Sequence, residues 1–310
     1  MKVLITGSEG YLARNLARNL FKKKIICYGI GRGNWRTKKQ YKKWGYKKNL
    51  NVSINKKILN KFKNFNFDYV IHCAGGASPI NSMINSVSKK QDFNKNVLSI
   101  KFVLDYILLN KKKTKIIFIS SVSVYGNNNL KKITENAKIK PVSNYARNKF
   151  LAENLCYDYF KKYKINTLVL RGTTIFGPGL KKQFIYDACL KIIQNKRIFF
   201  GTGNEIRDYV YIDDFCNLIN KVLNKSFKDF QIINAGTGKG TKLKDIIKHI
   251  KKKMGVKIIP KFNKFGFRTN PKSMVVNNQK AKKFNWYPKM KFYDGLDKYI
   301  KWFKSEYYND

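Results

Sequence analysis

The chain begins Met1-Lys-Val-Leu-Ile-Thr-Gly-Ser-Glu-Gly-Tyr-Leu-Ala13. Val3, Leu4 and Ile5 form a short, partly β-branched apolar run, which favours a buried strand. Gly7 and Gly10 follow at once, and Leu12, Leu16 and Leu20 then recur on one helical face. Glycines between a strand and a helix let backbone amides approach a pyrophosphate, whose charge the helix N-terminus stabilises. Ala13 stands where a third glycine is usual and is small enough for close helix packing.

Working outward, apolar runs at 25–30, 69–73, 115–120 and 167–170 alternate with helical patterns, the clearest being Val97, Ile100, Val103, Leu104 and Ile107. Strands alternating with helices build βαβ units, so the expectation is an α/β fold with a doubly wound parallel sheet. After Gly177-Pro-Gly179 the pattern changes. It predicts a strand at 231–234, a helix at 243–253, a strand at 256–260 and a closing helix at 293–303. This divides the chain into a dinucleotide-binding domain over 1–178 and a smaller lobe over 179–310, with some of the latter's segments returning to the sheet.

Lys and Arg number 65 against 18 Asp and Glu, a formal net charge of +47 on 310 residues. Such an excess first suggests a polyanion partner, because phosphate contacts release counterions. The distribution argues otherwise. The longest lysine runs, 22–24, 111–113 and 251–253, hold three residues each and lie among asparagines rather than in a basic arm. Lys and Asn share adenine-rich codons, so a biased base composition accounts for much of the charge, although not for the scarcity of Glu. No specific nucleic-acid partner is expected. Five separated cysteines without a CxxC pair, and only two histidines, speak against a disulfide framework or a metal centre. With no signal-peptide pattern and no membrane-length apolar run, the expectation is a cytoplasmic protein without membrane insertion.

Cofactor choice should be written at the end of the second strand, where an acid would accept the ribose hydroxyls of NAD and repel a 2′-phosphate. Here that position is Gly31 and Arg32 follows, which favours NADP. Further on, Tyr145-Ala-Arg-Asn-Lys149 lies in a helical pattern starting near Ser143, so the phenol and the ammonium share a face. A cation beside a phenol favours phenolate and suits Tyr145 to proton transfer. Ser120-Ser-Val-Ser-Val-Tyr-Gly126, ending a core strand, can bring a serine hydroxyl beside it. His72 and Cys73 sit on a core strand and read as structural.

With these residues the chain resembles the extended short-chain dehydrogenase/reductase family, in its nucleotide-sugar epimerase/dehydratase branch. The resemblance spans nearly the whole chain through Thr6 to Ala13, Val70-Ile-His-Cys-Ala74, Asn96-Val97, Ser120 to Gly126, Tyr145 to Lys149, Leu170-Arg171, Phe176-Gly-Pro-Gly179 and Arg207-Asp-Tyr-Val-Tyr-Ile-Asp-Asp214. It implies a Rossmann-type sheet with a smaller C-terminal substrate-binding lobe, an NAD(P) cofactor, a nucleotide-diphosphate sugar as substrate, and a homodimer built on the helices near 92–109 and 145–160. It further implies that Gly7, Gly10, Tyr11, Leu12, Arg32, Ala74, Asn96, Tyr145 and Lys149 bind the cofactor. Ser121 would orient the substrate oxygen, Tyr145 exchange its proton and Lys149 hold the nicotinamide ribose. Arg207 and Arg268 match arginines that grip the diphosphate. The family pattern has Asn where this chain has Thr174, also placed at the substrate.

Three readings of function follow. Relatives that are 4,6-dehydratases carry an Asp-Glu pair where this chain has Val122-Ser123, which removes dehydration. A 4-epimerase, resembling those acting on UDP-glucose, fits the strand motif and the intact run from Arg207 to Asp214. An NADPH-dependent reductase of 4-keto-6-deoxy sugar nucleotides fits Gly31-Arg32. A non-catalytic dinucleotide sensor or nucleic-acid-binding protein on the same fold has no need of Ser121, Tyr145 and Lys149 together.

Overall fold

The structure, a computed structural model, describes residues 1–33, 35, 37–76, 86–110, 113–128, 130–263 and 271–307. Adjacent residues of the first strand, β1 (Lys2–Thr6), enter different cores: Val3 and Ile5 one, Leu4 the other. The same alternation recurs in β4 (Tyr69–His72), where Ile71 and Val70 divide, and in β6 (Thr167–Gly172), where Leu168 and Leu170 oppose Val169. A strand buried on both faces reads as a continuous apolar run, which is why these strands were legible.

With β2 (Ile26–Ile30), β3 (Tyr46–Leu50), β5 (Lys115–Ser121) and β10 (Phe230–Ala235), these strands form a seven-stranded sheet. The order is β10-β6-β5-β4-β1-β2-β3, and every pairing is parallel. Leu16 and Leu20 of the helix Tyr11–Lys22, with Phe215 and Ile219 of the helix Ile212–Lys225, fill one face. Ile100, Val103, Leu104 and Ile107 of Ser99–Leu109, with Ala152 and Cys156 of Asn144–Tyr163, fill the other. Strand β10 lies beyond residue 179 yet pairs with β6, so the second half of the chain contributes to the main sheet as well as to the smaller lobe.

That lobe holds β7 (Thr174–Phe176), β8 (Ile198–Phe200), β9 (Ile206–Tyr211), β11 (Gly240–Lys242), β12 (Lys261–Asn263) and β13 (Ser273–Met274). Strand β9 pairs with β7, β11 and β13, while β12 pairs with β8.

The short strands of the lobe have no counterpart in the sequence pattern, and two further differences have a plain physical cause. Strand β3 has no apolar alternation to announce it. It is an edge strand whose Lys47 and Lys48 are exposed, a composition that discourages pairing with other chains. The strand expected at 256–260 is instead a helix terminator. Gly255 takes the left-handed conformation, its amide donates to Lys252 O, and the Val256 amide donates back to Lys251 O. Pro260 has no amide to donate, so pairing with β8 starts at Lys261, whose amide donates to Arg197 O at 2.8 Å. Among the described residues, no helix is long and apolar enough to cross a membrane, and no group of three or more His, Cys, Asp or Glu is placed to hold a metal ion.

Candidate active site

The glycine turn sits at the carboxyl end of β1. Gly7 has φ +66°, and a Cβ there would lie 2.8 Å from the backbone N and Cα of Ala74, so a side chain would force the two strand ends apart. Gly10 caps the following helix without a side chain, leaving the first-turn amides, those of Tyr11 and Leu12 among them, to a ligand's oxygen atoms. Arg32 is exposed at the end of β2. Across the cleft, Asn96 is fully buried in a π-helical turn, Asn94–Leu98. Its Nδ2 donates to Asp92 O and Oδ1, both at 3.0 Å, while its Oδ1 has no partner among the described residues. A Cβ on Gly75 would stand 2.7 Å from that oxygen and 3.0 Å from Lys149 Nζ, so a side chain at this position would press on both groups. An orphaned buried acceptor, a cation and a row of helix amides around a glycine cradle fit a dinucleotide.

The proton-transfer group is built on one helix. Ser143 Oγ accepts from Ala146 N at 3.1 Å and starts the helix Asn144–Tyr163. Tyr145, Lys149 and Glu153 then follow four apart on one face. Ser121 ends β5 as the cap of a short 3-10 turn, its Oγ accepting from Ser123 N at 3.2 Å, and it hydrogen-bonds Tyr145. Burial pushes the Tyr145 phenol up to about 12, against the hydrogen bond from Ser121, which favours phenolate. Lys149 Nζ lies 5.9 Å from the Tyr145 ring centroid and donates instead to Ile119 O at 2.9 Å. Burial brings Lys149 itself down to about 8.

Behind these residues lies a network that sequence reasoning missed. Glu153, 2% exposed, accepts from Ser120 Oγ at 2.5 Å and from Arg171 Nη2 at 2.6 Å. Arg171 Nη1 donates to Tyr125 Oη at 2.9 Å. Burial works against the Arg171 charge, but the Glu153 carboxylate holds it protonated. Asp92 Oδ2 accepts from Asn148 Nδ2 at 2.7 Å, tying the helix that leads into the π-turn, Ser86–Phe93, to the helix that carries Tyr145. Ser120, Tyr125 and Arg171 lie in motifs that carry the resemblance, and Glu153 is the i+4 continuation of Tyr145 and Lys149, but nothing in the sequence joins them. His72 reads as structural here too. Ser99 Oγ donates to Lys95 O, so it accepts from His72 Nε2–H, and Nδ1 faces Thr6 Oγ1 at 2.9 Å. Burial, with the Lys149 charge nearby, brings His72 down to about 3.

On the lobe side, β7 and β9 run side by side with Thr174 opposite Tyr209, which puts Thr174 and Arg207 on adjacent strands. Arg207 Nη1 donates to Ile206 O at 2.9 Å, and burial disfavours its charge. Its neighbour Asp208 accepts from Thr237 N and Oγ1 and from Gly238 N, so this acid of the motif anchors a loop. Arg268 lies outside the described residues.

Comparison with known proteins identifies the family and the fold. The sequence model described as "NAD dependent epimerase/dehydratase family" matches residues 3–236. A putative UDP-glucose 4-epimerase of Methanocaldococcus jannaschii is 27% identical over 318 residues, 98% of each chain. A dTDP-D-glucose 4,6-dehydratase of Dictyostelium discoideum is 30% identical over 261 residues, 76% of this chain and 58% of that protein. The structure of a UDP-glucuronic acid 4-epimerase from Bacillus cereus, in complex with UDP-glucuronic acid and NAD, matches with a TM-score of 0.88 at 24% identity, over 99% of this chain and 100% of that one.

Proposed function

Because this chain belongs to the NAD dependent epimerase/dehydratase family, we propose that it is a nucleotide-sugar 4-epimerase, with UDP-hexoses the first substrates to test. The observation that carries this reading is the Ser121–Tyr145 hydrogen bond, with Lys149 one turn along the same helix. A bound nicotinamide dinucleotide supplies the hydride acceptor and donor, and its oxidised ring adds positive charge to the cleft. Tyr145 Oη takes the proton of the C4 hydroxyl as that carbon becomes a ketone and returns it after the sugar has turned its other face. Ser121 Oγ holds the C4 oxygen in line. Lys149 Nζ, kept in place by Ile119 O, binds the dinucleotide ribose. Arg207 faces the substrate diphosphate, for which a guanidinium offers two parallel donors, and Thr174 borders the sugar.

Elimination needs an acid and a base at C5 and C6, and Val122 and Ser123 supply neither. The described carboxylates that act on Tyr145 and Lys149 are those of Asp92 and Glu153, and both are engaged by amide or guanidinium donors. Arg32 beside Gly31 favours a second reading, the NADPH-dependent 4-keto reductase. We also propose that the protein is a homodimer, because Leu109, Leu151 and Tyr157, on the helices Ser99–Leu109 and Asn144–Tyr163, are exposed at 62%, 47% and 45%.

The deciding experiment supplies a panel of UDP-sugars with catalytic NAD and follows their anomeric proton signals. Accumulation of the 4-epimer without net change in the dinucleotide supports the epimerase. Consumption of one NADPH per 4-keto sugar selects the reductase, and no conversion of any sugar nucleotide removes both.

A further inference from the structure

The end of β2 leaves no room for the acid expected there. A Cβ on Gly31 would lie 2.6 Å from Ser8 Oγ and 2.7 Å from Ser8 N, so an Asp or Glu at this position would collide with the glycine turn. Ser8 is itself fixed, buried with its Oγ donating to Asn49 Oδ1. The turn also carries its own carboxylate to the same place. Glu9 Oε2 accepts from Trp35 N at 2.9 Å, and it stands 2.1 Å from where a Cβ on Gly33 would be. Both glycines after β2 therefore make way for the Ser8–Glu9 segment. Asn51 braces the receiving loop, accepting from Gly33 N at 3.1 Å and donating to Trp35 O at 2.8 Å.

One oxygen of this carboxylate is satisfied and the other is not. Glu9 Oε1 is shielded from solvent and has no hydrogen-bond partner among the described residues. Leaving a carboxylate oxygen desolvated and unpaired is costly, and such a group in a binding cleft points to a donor brought by the ligand. Next to a glycine turn that fits a pyrophosphate, the donors within reach are the hydroxyls of the adjoining ribose.

We propose that Glu9 is the cofactor-selecting residue: its carboxylate accepts the adenosine ribose hydroxyls and repels a 2′-phosphate, so the cleft takes NAD in preference to NADP. This rests on the reading of the cleft as a dinucleotide site. The acid has moved from the strand end to the turn, and the glycines at 31 and 33 are the space it needs. Arg32, the residue that favours NADP in the sequence, is exposed, and solvent weakens its pull on a phosphate.

Calorimetric titration of the full-length protein with NAD, NADP, ADP-ribose and 2′-phospho-ADP-ribose tests this, using wild type, Glu9→Gln and Glu9→Ala, with melting curves to verify folding. Wild type should bind NAD and ADP-ribose at least roughly tenfold more tightly than their 2′-phosphates. Each variant should lose roughly tenfold for the unphosphorylated ligands, the equivalent of one hydrogen bond to a charged group, and the preference should narrow. A wild type that prefers NADP overturns the proposal, as do folded variants with an unchanged preference. A wild type that binds none of the four ligands overturns the dinucleotide reading itself, and the role of Glu9 with it.

Discussion

Lys149 Nζ donates to the carbonyl oxygen of Ile119 at 2.9 Å, so the helix that carries Tyr145 is tied to the strand end that carries Ser121. The ammonium acts first as a strut between the two halves of the proton-transfer group. The phenol depends on it less directly, since the hydroxyl of Ser121 is what counters burial at Tyr145. This division of labour separates the effects of changing each residue.

Tyr145→Phe removes the hydroxyl proposed to exchange the C4 proton while retaining the ring. Turnover should fall by roughly a hundredfold to ten-thousandfold, the range for general acid–base catalysis, with dinucleotide affinity little changed. Steady-state kinetics alongside calorimetry checks both halves. A variant with near wild-type turnover removes Tyr145 from the mechanism.

Ser121→Ala has a pH signature. Its hydrogen bond is the influence that lowers the Tyr145 phenol, so its loss moves that phenol further up, and phenolate becomes scarcer at a given pH. The alkaline rise in kcat should shift to higher pH in the variant. An unshifted profile with a uniformly reduced rate would mean that Ser121 only orients the substrate.

Arg207→Ala should weaken a UDP-sugar by roughly tenfold to a hundredfold, as expected for a lost hydrogen-bonding charge. A free hexose or its glycoside should lose little. Inhibition constants for the two ligand types make the comparison, and equal losses would place the guanidinium away from the diphosphate.

The parts of this site legible in the sequence are those whose geometry is local. Gly7 and Gly10 adjoin a strand and a helix whose periodicities announce themselves, and Tyr145 and Lys149 are held on one face by helix geometry alone. What was hidden depends on approaches between distant segments. Nothing in the sequence says that Ser8 and Gly31 come so close that a side chain at 31 has no room. Nor does it say that Asp92 meets Asn148 across two helices. Thr174 and Arg207 share a sheet only because β7 pairs with β9, a pairing between short strands whose pattern is weak.

His72 gives an acid-stability prediction. Burial holds its folded pKa at about 3, below the ordinary value of 6.5, so the folded protein keeps a neutral imidazole while the unfolded chain takes up a proton. Between pH 6.5 and 3 the unfolded state binds more protons, and stability falls as pH falls, by at most about 1.4 kcal/mol per pH unit for this one group. His72→Asn, which retains an acceptor toward Thr6, should show a flatter acid limb in denaturant titrations across this window. An identical slope would mean that another group controls acid unfolding.

The buried pair of Glu153 and Arg171 should behave asymmetrically when broken. Glu153→Gln leaves the Arg171 guanidinium, 3% exposed, without its carboxylate, and Ser120 Oγ loses a charged acceptor. An uncompensated buried charge costs about 3–5 kcal/mol. Arg171→Met costs in the same way by stranding Glu153, whereas Glu153→Leu with Arg171→Met leaves no buried charge and should recover much of the stability. Recovery of melting temperature need not restore activity. The pair clamps β5 through Ser120 on one side of Ser121 and Tyr125 on the other, so the double variant should fold yet turn over slowly, in kcat more than in KM. If the double variant melts no higher than the singles, the pair stabilises through packing that Leu and Met cannot reproduce. If it is also fully active, Ser121 is positioned without it.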